Sequence, residues 1–545
     1  MMTVTTSDRL FVTIRPTAEV TIKSRTTRAT FLRKLRLATK DALQRAGLEA
    51  RAFVRGNRVM AEVGPGAAPA DPAAVAPVLA RVFGIGSFSF VEAVAAPDLG
   101  AIVELGLALY GDRVKGRRYA VRCKRSGRHP FGSLDVERKL GAALNPGAKV
   151  DLTHPEVTVE VEVDERQALF FSQRHQGAGG LPLGTGGHAL ALLSGGYDSV
   201  VAAWSLMRRG VEVDFVHFRL GELESERLAL RVAKRLCDTW GAGSRPEAHV
   251  IDLRPAMAEM REQLDTRVWQ VGLKRLMLRA ADGTADALEA YAAGAEPAQA
   301  SGAAGEGPRE RGRRVSRRRV DALVTGEAIG QVSSQTLSNL RTIDAAAGRP
   351  VLRPLIAHDK QQIILLAERI GTAELSATAV EECNITPVRP ATSSRAERLQ
   401  QQEEGMDGSA LARELARVAR GDSRIPLRAM REGEGVLAGP TPDGDELIVH
   451  ELPDGAVLVD CRTDTSGGWR PDWPAVTPAP PDLYAGLAAG GAAPLDRDTT
   501  YVTFCAHGVR SRYAAERLRA AGLRAHSFGS GEEELRRYLA TRVTA

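Results

Sequence analysis

A chain of 545 residues with 43% hydrophobic content has room for about three to five domains with real cores. Its net charge of +6 is modest for that length, so the placement of charge matters more than the sum. Five scattered cysteines without a CxxC pair argue against a structural zinc site and a secreted disulfide framework. No apolar run approaches about 18 residues and no apolar leader follows Met1, so a soluble, cytoplasmic chain without a membrane partner is expected.

In chain order, residues 1–69 alternate strand and helix patterns. Leu10–Ile14 predicts a strand, Thr27–Ala46 a basic helix stopped by Gly47, and Arg51–Val54 with Arg58–Val63 a hairpin around Gly56-Asn57. This is a small α+β unit of ferredoxin-like type. A Pro/Ala/Gly-rich connection, 64–72, leads into a second unit ending near 174. That unit holds eight basic residues and no acid between Arg113 and Arg128: Arg113, Lys115, Arg117, Arg118, Arg122, Lys124, Arg125 and Arg128. Apolar and basic residues alternate from Tyr119 to Arg125, so one strand face would carry the charge. Such a stripe fits a phosphate backbone, and it equally fits a solvated edge that discourages strand pairing. Val157–Val163 and Ala168–Phe171 predict two further strands, and the glycine-rich run 177–187 a linker or mobile loop.

The apolar run Ala189–Leu193 then enters Ser194-Gly195-Gly196-Tyr197-Asp198-Ser199, and Val200–Met207 follows as a helix. Strand, glycine turn and helix start together form a phosphate cradle: Gly195 and Gly196 permit positive φ and close approach, and the helix N-terminus attracts anions. The loop lacks the GxxxxGK[ST] of a Walker motif. A Gly-Ser turn capping a core helix is the plainer alternative. Strands at 211–218, 249–253 and 321–325, with helices between them, predict a parallel α/β sheet whose ligands gather at the carboxyl ends of its strands. Residues 281–319, Ala/Gly/Glu-rich and then Arg-rich, read as a flexible insertion, and 391–445 as a linker.

From 446 to 545 a compact α/β unit is expected. Ala456–Asp460 is a strand that ends beside Cys461, read as a structural thiol. Thr500–Phe504 runs into Cys505-Ala506-His507-Gly508-Val509-Arg510-Ser511, with a helix predicted over 512–521. A cysteine wrapped by backbone N–H groups at a helix start favours thiolate or persulfide, and His507 and Arg510 would add to this. Cys383, beside Glu381 and Glu382, should resist deprotonation unless basic groups approach, and it equally suits a small loop hydrophobe.

Together these motifs resemble the tRNA 4-thiouridine synthase, or tRNA sulfurtransferase, family over nearly the whole chain. The run 121–141, VRCKRSGRHPFGSLDVERKLG, resembles a THUMP RNA-binding domain. SGGYDS, LVTGEAIGQVSSQTLSNLRTID and VLRPLIAHDK resemble the family's adenylation domain, and VLVDCR with CAHGVRS an appended rhodanese domain. The resemblance implies an α/β multidomain chain: a ferredoxin-like unit at 1–69, a THUMP domain at 70–174 and a PP-loop ATP pyrophosphatase at 175–390. The linker at 391–445 would then lead to a rhodanese domain at 446–545. It implies ATP contacts at Leu192, Leu193, Ser194, Gly195, Gly196, Asp198, Ser199, His217, Phe218, Lys274, Gly326 and Gln335, with Mg²⁺ bridging the phosphates and no metal held by the cysteines. Asp198 and Lys360 would serve activation. Cys505 would carry sulfur as a persulfide, with Cys383 as its disulfide partner. The implied reaction adenylates uridine 8 of tRNA and replaces its 4-oxygen with sulfur. The implied partners are tRNA, a cysteine desulfurase, the sulfur-carrier protein of thiamine thiazole synthesis and a second copy of the chain. An ATP-dependent amidating ligase would leave the basic stripe and Cys505 unexplained. A tRNA-binding sulfur carrier without adenylation would leave SGGYDS and Lys274 unexplained.

Overall fold

The computed structural model describes residues 3–4, 9–67, 70–171, 173–221, 223–294, 319–379, 390–431, 434–437, 447–462, 469–478, 496–505, 511, 514–515, 518–519, 522–529 and 532–542. Two compact units emerge: residues 1–188 with 204–212 and 238–245, and the remainder.

The first unit contains β1 (Thr3–Val4), β2 (Leu10–Pro16), β3 (Glu49–Arg55), β4 (Arg58–Gly64), β5 (Ile85–Phe90), β6 (Ala93–Ala95), β7 (Arg118–Arg125), β8 (Lys149–Val150), β9 (Val157–Val163), β10 (Ala168–Phe171) and β11 (His175–Gln176). One sheet has the order β11-β5-β2-β4-β3, crossed by helices Arg25–Arg45 and Pro72–Leu79. Their starts are set by side chains: Ser24 accepts from the Thr27 N–H, and Asp71 accepts from the Ala74 N–H ahead of Pro72. Val12, Ile14, Leu35, Leu43 and Val59 fill the core between sheet and helices. The second sheet, β1-β6-β10-β9-β7-β8, packs helices Leu99–Val114 and Ser133–Leu144 over Tyr119, Val121, Val159 and Phe170.

The run 177–187 is a packed loop rather than a linker. Gly179 and Gly180 both take positive φ, and a Cβ on Gly180 would lie 2.0 Å from the Arg208 carbonyl oxygen. The backbone around it bonds Gly84 N to Gly179 O, Leu181 N to Arg208 O and Gly186 N to Gly210 O. Its glycines serve close approach; composition alone could not distinguish that from flexibility.

The second unit holds β12 (His188–Leu193), β13 (Glu212–Arg219), β14 (Glu247–Asp252), β15 (Ala322–Val324), β16 (Val351–Leu352) and β17 (Arg424–Pro426), in the order β16-β15-β12-β13-β14-β17. β12 pairs parallel with β15, β15 with β16 and β13 with β14, and β17 closes the edge antiparallel to β14. From β12 the chain winds outward on one side through β13 and β14, then returns to the other side at β15. The crevice at the carboxyl end of β12 is therefore the switch point at which such sheets bind ligands.

Two expectations fail here. Residues 281–294 are the second half of a helix, Trp269–Gly294, with Ala281, Ala285 and Leu288 buried in the core. Alanine-rich sequence is low in complexity but high in helix propensity. The rest of the supposed insertion, 295–318, lies outside the described residues. Residues 391–445 are not simply a linker: 396–426 supply helices Ala396–Glu403 and Ser409–Arg420 and the edge strand β17. Leu399, Ala410 and Val418 join the same core, and buried Arg275 donates two hydrogen bonds to Glu403, both 2.8 Å.

A separate all-parallel sheet near the C-terminus has the order β18-β22-β21-β19-β20. Its strands are β18 (Ile448–Val449), β19 (Val457–Asp460), β20 (Val476–Pro478), β21 (Thr500–Phe504) and β22 (Arg524–Phe528). Its two faces carry separate apolar clusters, one around Tyr501 and Leu518, the other around Phe504 and Leu535.

Candidate functional site

The loop 194–199 leaves β12 and enters the helix Tyr197–Arg208. It is closed on itself by serines: Ser194 N–H donates to Ser199 Oγ at 3.1 Å, and Ser199 Oγ donates to Ser194 O at 3.0 Å. Neither Gly195 nor Gly196 takes positive φ, contrary to expectation. A Cβ on Gly195 would sit 2.9 Å from Leu228 Cδ2, so that side chain would have to shift to admit one; Gly196 has room for one. Gly326, just beyond β15, is tighter still: its Cβ would fall 2.5 Å from the Asp198 carbonyl carbon and 2.7 Å from Ser199 N. Backbone from β15 thus lies directly against the helix start, where N–H groups favour an anion.

Around this turn the side chains converge. Lys360, first residue of the helix Lys360–Ile370, donates to both Asp198 oxygens at 3.0 and 2.9 Å. Asp359 fixes that helix start through a capping box with Gln362. On the β15 side, Glu327 Oε1 accepts from Lys274 Nζ at 2.7 Å and Oε2 from Arg353 Nε at 2.9 Å. Arg353 in turn grips Asp344 at 3.0 and 2.6 Å. Burial alone would raise the Glu327 carboxyl, but Lys274 and Arg353 outweigh it and hold the group below the usual carboxylate range.

His217, on β13, is buried, and burial pushes its imidazole below the ordinary value. Its Nδ1 lies 3.0 Å from the Leu193 carbonyl oxygen. A carbonyl only accepts, so Nδ1 carries the proton and the neutral ring leaves Nε2 as an acceptor. Leu193 and Phe218 are buried beside it, and Leu192 is half-buried. Gln335 is 7% exposed, and its Oε1 accepts no hydrogen bond. A buried unpaired acceptor costs about 1–3 kcal/mol, a cost that a ligand donor removes. These features fit a nucleotide. Among the described residues no cluster of three His, Cys, Asp or Glu side chains could hold a metal ion. A Mg²⁺ arriving with ATP would therefore be held mainly by phosphate oxygens, with Asp198 the one carboxylate of the loop.

Cys505, at the end of β21, is 4% exposed. Its Sγ accepts from Ser511 N and Ser511 Oγ, both at 3.5 Å, and Ser511 is steadied by Thr503 and Ser527. Cys383, the loop residues Ala506, His507, Gly508, Val509 and Arg510, and most of the predicted helix 512–521 lie outside the described residues.

The basic run divides. Arg113 pairs with Glu92 at 2.9 Å, Arg118 reaches Glu156 and Asp151, and Arg125 bonds the Gly127 carbonyl. Arg122 and Lys124 stand opposite Glu160 and Glu162 of β9, and with Arg174 they line a pocket of about 370 Å³. Burial and the neighbouring Arg174 and Arg15 push the Lys124 ammonium down. Lys115, Arg117 and Arg128 are exposed and make no ion pair among the described residues. Arg113 and Arg118 of the expected basic face are thus paired with acids, whereas the acids opposite Arg122 and Lys124 are bonded to Arg174, Arg15 and Arg58.

Two family models match: the thiamine biosynthesis protein (ThiI) model over residues 184–300 and 313–407, and the THUMP domain over 97–172. A tRNA sulfurtransferase of Yersinia pseudotuberculosis serotype IB is 35% identical over 511 residues, covering 92% of this chain and 96% of its own. The chain belongs to the tRNA sulfurtransferase family. A Yersinia pestis (strain Pestoides F) tRNA sulfurtransferase matches at 35% over 516 residues. Among solved structures, a 4-thiouridine synthetase–RNA complex with bound ATP aligns with a TM-score of 0.59 at 26% identity, over 76% of this chain and 98% of that one. The break at 301–312 in the ThiI match falls within the stretch read as an insertion.

In this chain the sheet brings Ser194–Ser199, His217, Phe218, Lys274, Gly326, Gln335 and Lys360 to one end of β12, β13 and β15 or onto the helices and loops they lead into. Sequence reasoning passed over Glu327, Arg353 and Asp344, although Glu327 follows the strand-ending Gly326 directly. An acid one residue past a buried strand was the available signal.

Proposed function

We propose that this protein uses ATP to adenylate the 4-oxygen of uridine 8 in tRNA and replaces it with sulfur carried on Cys505, giving 4-thiouridine. The observation that carries the reading is the convergence of Asp198–Lys360 and Lys274–Glu327 on the Ser194–Ser199 turn at the sheet's switch point. The 35% identity to tRNA sulfurtransferases supports it.

In this reading the turn and the N-terminus of the helix Tyr197–Arg208 hold the phosphates of ATP. Lys274 neutralises phosphate charge from a position set by Glu327, and Lys360 stabilises charge that develops as pyrophosphate departs. Leu192, Leu193, His217 and Phe218 line the base side, and Gln335 Oε1 accepts from an amine of the base. The C-terminal unit, read as a rhodanese domain, receives sulfur from a cysteine desulfurase on Cys505. Ser511 N and Oγ donate toward the sulfur as charge gathers on it. Attack by the outer persulfide sulfur on the activated carbon releases AMP and leaves the uridine joined to Cys505 through an S–S bond. The Cys383 thiolate then attacks Cys505 Sγ, and that S–S bond breaks with the electron pair going to the thiouridine. A reductant resets the Cys383–Cys505 disulfide. The THUMP domain takes the tRNA, with Lys115, Arg117 and Arg128 the best-placed cations of the original eight. The order β5-β2-β4-β3 supports a ferredoxin-like reading of the N-terminal unit, but its fourth strand, β5, lies beyond the boundary expected at residue 69. Sulfur supply to the thiazole carrier protein, a homodimer and a cytoplasmic location belong to the same proposal. No helix among the described residues is long and apolar enough to cross a membrane.

The Cys505→Ser variant separates the halves. It is expected to release pyrophosphate on addition of ATP and unmodified tRNA while forming no thiouridine. A variant that thiolates tRNA at the parent rate would remove Cys505 from the scheme.

A further inference from the structure

Cys461 was read from sequence as a structural thiol, but its place in the sheet gives it a neighbour. β19 and β21 pair parallel, with Asp460 opposite Phe504 and the Cys461 N–H bonded to the Phe504 carbonyl at 2.8 Å. The next residues on each strand are Cys461 and Cys505. Side chains alternate along a strand, so Val459 and Cys461 share a face with Tyr501, Thr503 and Cys505. The packing agrees: both cysteines belong to one buried cluster with Val459, Tyr501, Ala514 and Leu518, whereas Leu458, Val502 and Phe504 belong to the cluster on the opposite face. Each cysteine is 4% exposed. Neighbouring strands lie about 4.8 Å apart, within the Cα separations that a disulfide spans.

We propose that Cys461 is a second resolving thiol for the sulfur held on Cys505, working within the C-terminal sheet itself. The proposal rests on the persulfide reading above. With a persulfide on Cys505, the Cys461 thiolate attacks Cys505 Sγ. A Cys461–Cys505 bond forms, the bond from Cys505 Sγ to the outer sulfur breaks, and that sulfur leaves with the electron pair as hydrosulfide, taking up the proton given by Cys461. Two thiols are oxidised to a disulfide as the outer sulfur is reduced by two electrons to sulfide. No outside oxidant enters, and a dithiol reductant restores both thiols. The step discharges Cys505 without help from residues outside the C-terminal unit.

The test uses full-length protein carrying Cys383→Ser, so that the other expected partner cannot compete. The protein is charged with inorganic polysulfide, quenched with iodoacetamide and peptide-mapped without reduction, and released sulfide is measured alongside. The expected result is a linked peptide pair containing Cys461 and Cys505, formed together with sulfide. Adding Cys461→Ser should abolish the pair, leave persulfide on Cys505 and lower sulfide release. Persulfide on Cys505 with Cys461 alkylated at every time point would overturn the proposal and leave the persulfide reading intact. That comparison needs only the Cys383→Ser chain, so it stands even where the double variant folds poorly. A Cys505 that takes up no sulfur at all would overturn both.

Discussion

Single residues at the nucleotide turn divide into those that hold the fold and those that face the ligand. The Lys360–Asp198 pair is half open to solvent, with side chains 47% and 28% exposed, so its net worth to stability is small, within about 1 kcal/mol. Lys360→Ala should therefore leave the unfolding midpoint nearly unchanged. Its tRNA-dependent pyrophosphate release should fall on the order of 10²-fold, as for loss of one preorganised charge. Equal losses of stability and activity would make Lys360 structural. Glu327 differs, being buried between two cations. Its folded value lies below its unfolded one, so its contribution is fully present above about pH 4.3 and is lost as pH falls through the folded value. Buried His217, also lowered, adds a loss of the same sign that begins below about pH 6.5. Chemical denaturation of Glu327→Gln at neutral and acid pH should show lower stability than the parent at neutrality and a shallower decline below about pH 4.3. Parallel curves would remove Glu327 from the acid response.

At the scale of elements, periodicity found strands in each of the four sheets, because alternating or continuous apolar runs report burial directly, but it passed over β5, β6, β17 and β22. It failed where composition imitates disorder. Residues 281–294 are alanine-rich, and the small buried side chains that seat this helix in the core carry little hydropathy signal. Most charges of residues 396–426 do face solvent, but Glu403 is buried between Arg275 and Arg279, a burial of charge that a polarity reading takes for solvent exposure. Breaking such a pair leaves an uncompensated buried cation and costs about 3–5 kcal/mol. Glu403→Ala should lower the free energy of unfolding by that amount, measured by urea denaturation. A change under about 1 kcal/mol would restore the linker reading of this segment. The site was legible in part for the same reason. Ser194–Ser199 announces itself through glycine spacing, whereas the Glu327–Arg353–Asp344 chain depends on β15 and β16 lying side by side.

Across the whole molecule, the proposed activating centre on one parallel sheet, the proposed sulfur-bearing centre on a second and the proposed RNA-binding region make one reaction only if they act in sequence on one substrate. Each part alone has other uses: the turn could serve any adenylation, and Cys505 any sulfur relay. Family membership joins them, and the product distinguishes them. The most direct measurement combines purified protein, ATP, a cysteine desulfurase with cysteine, a dithiol reductant and unmodified tRNA, and follows thiouridine by its near-ultraviolet absorbance. The account predicts absorbance that grows with time, requires ATP and is lost in Cys505→Ser. No ATP-dependent absorbance, with a desulfurase and tRNA shown competent in parallel, would contradict it.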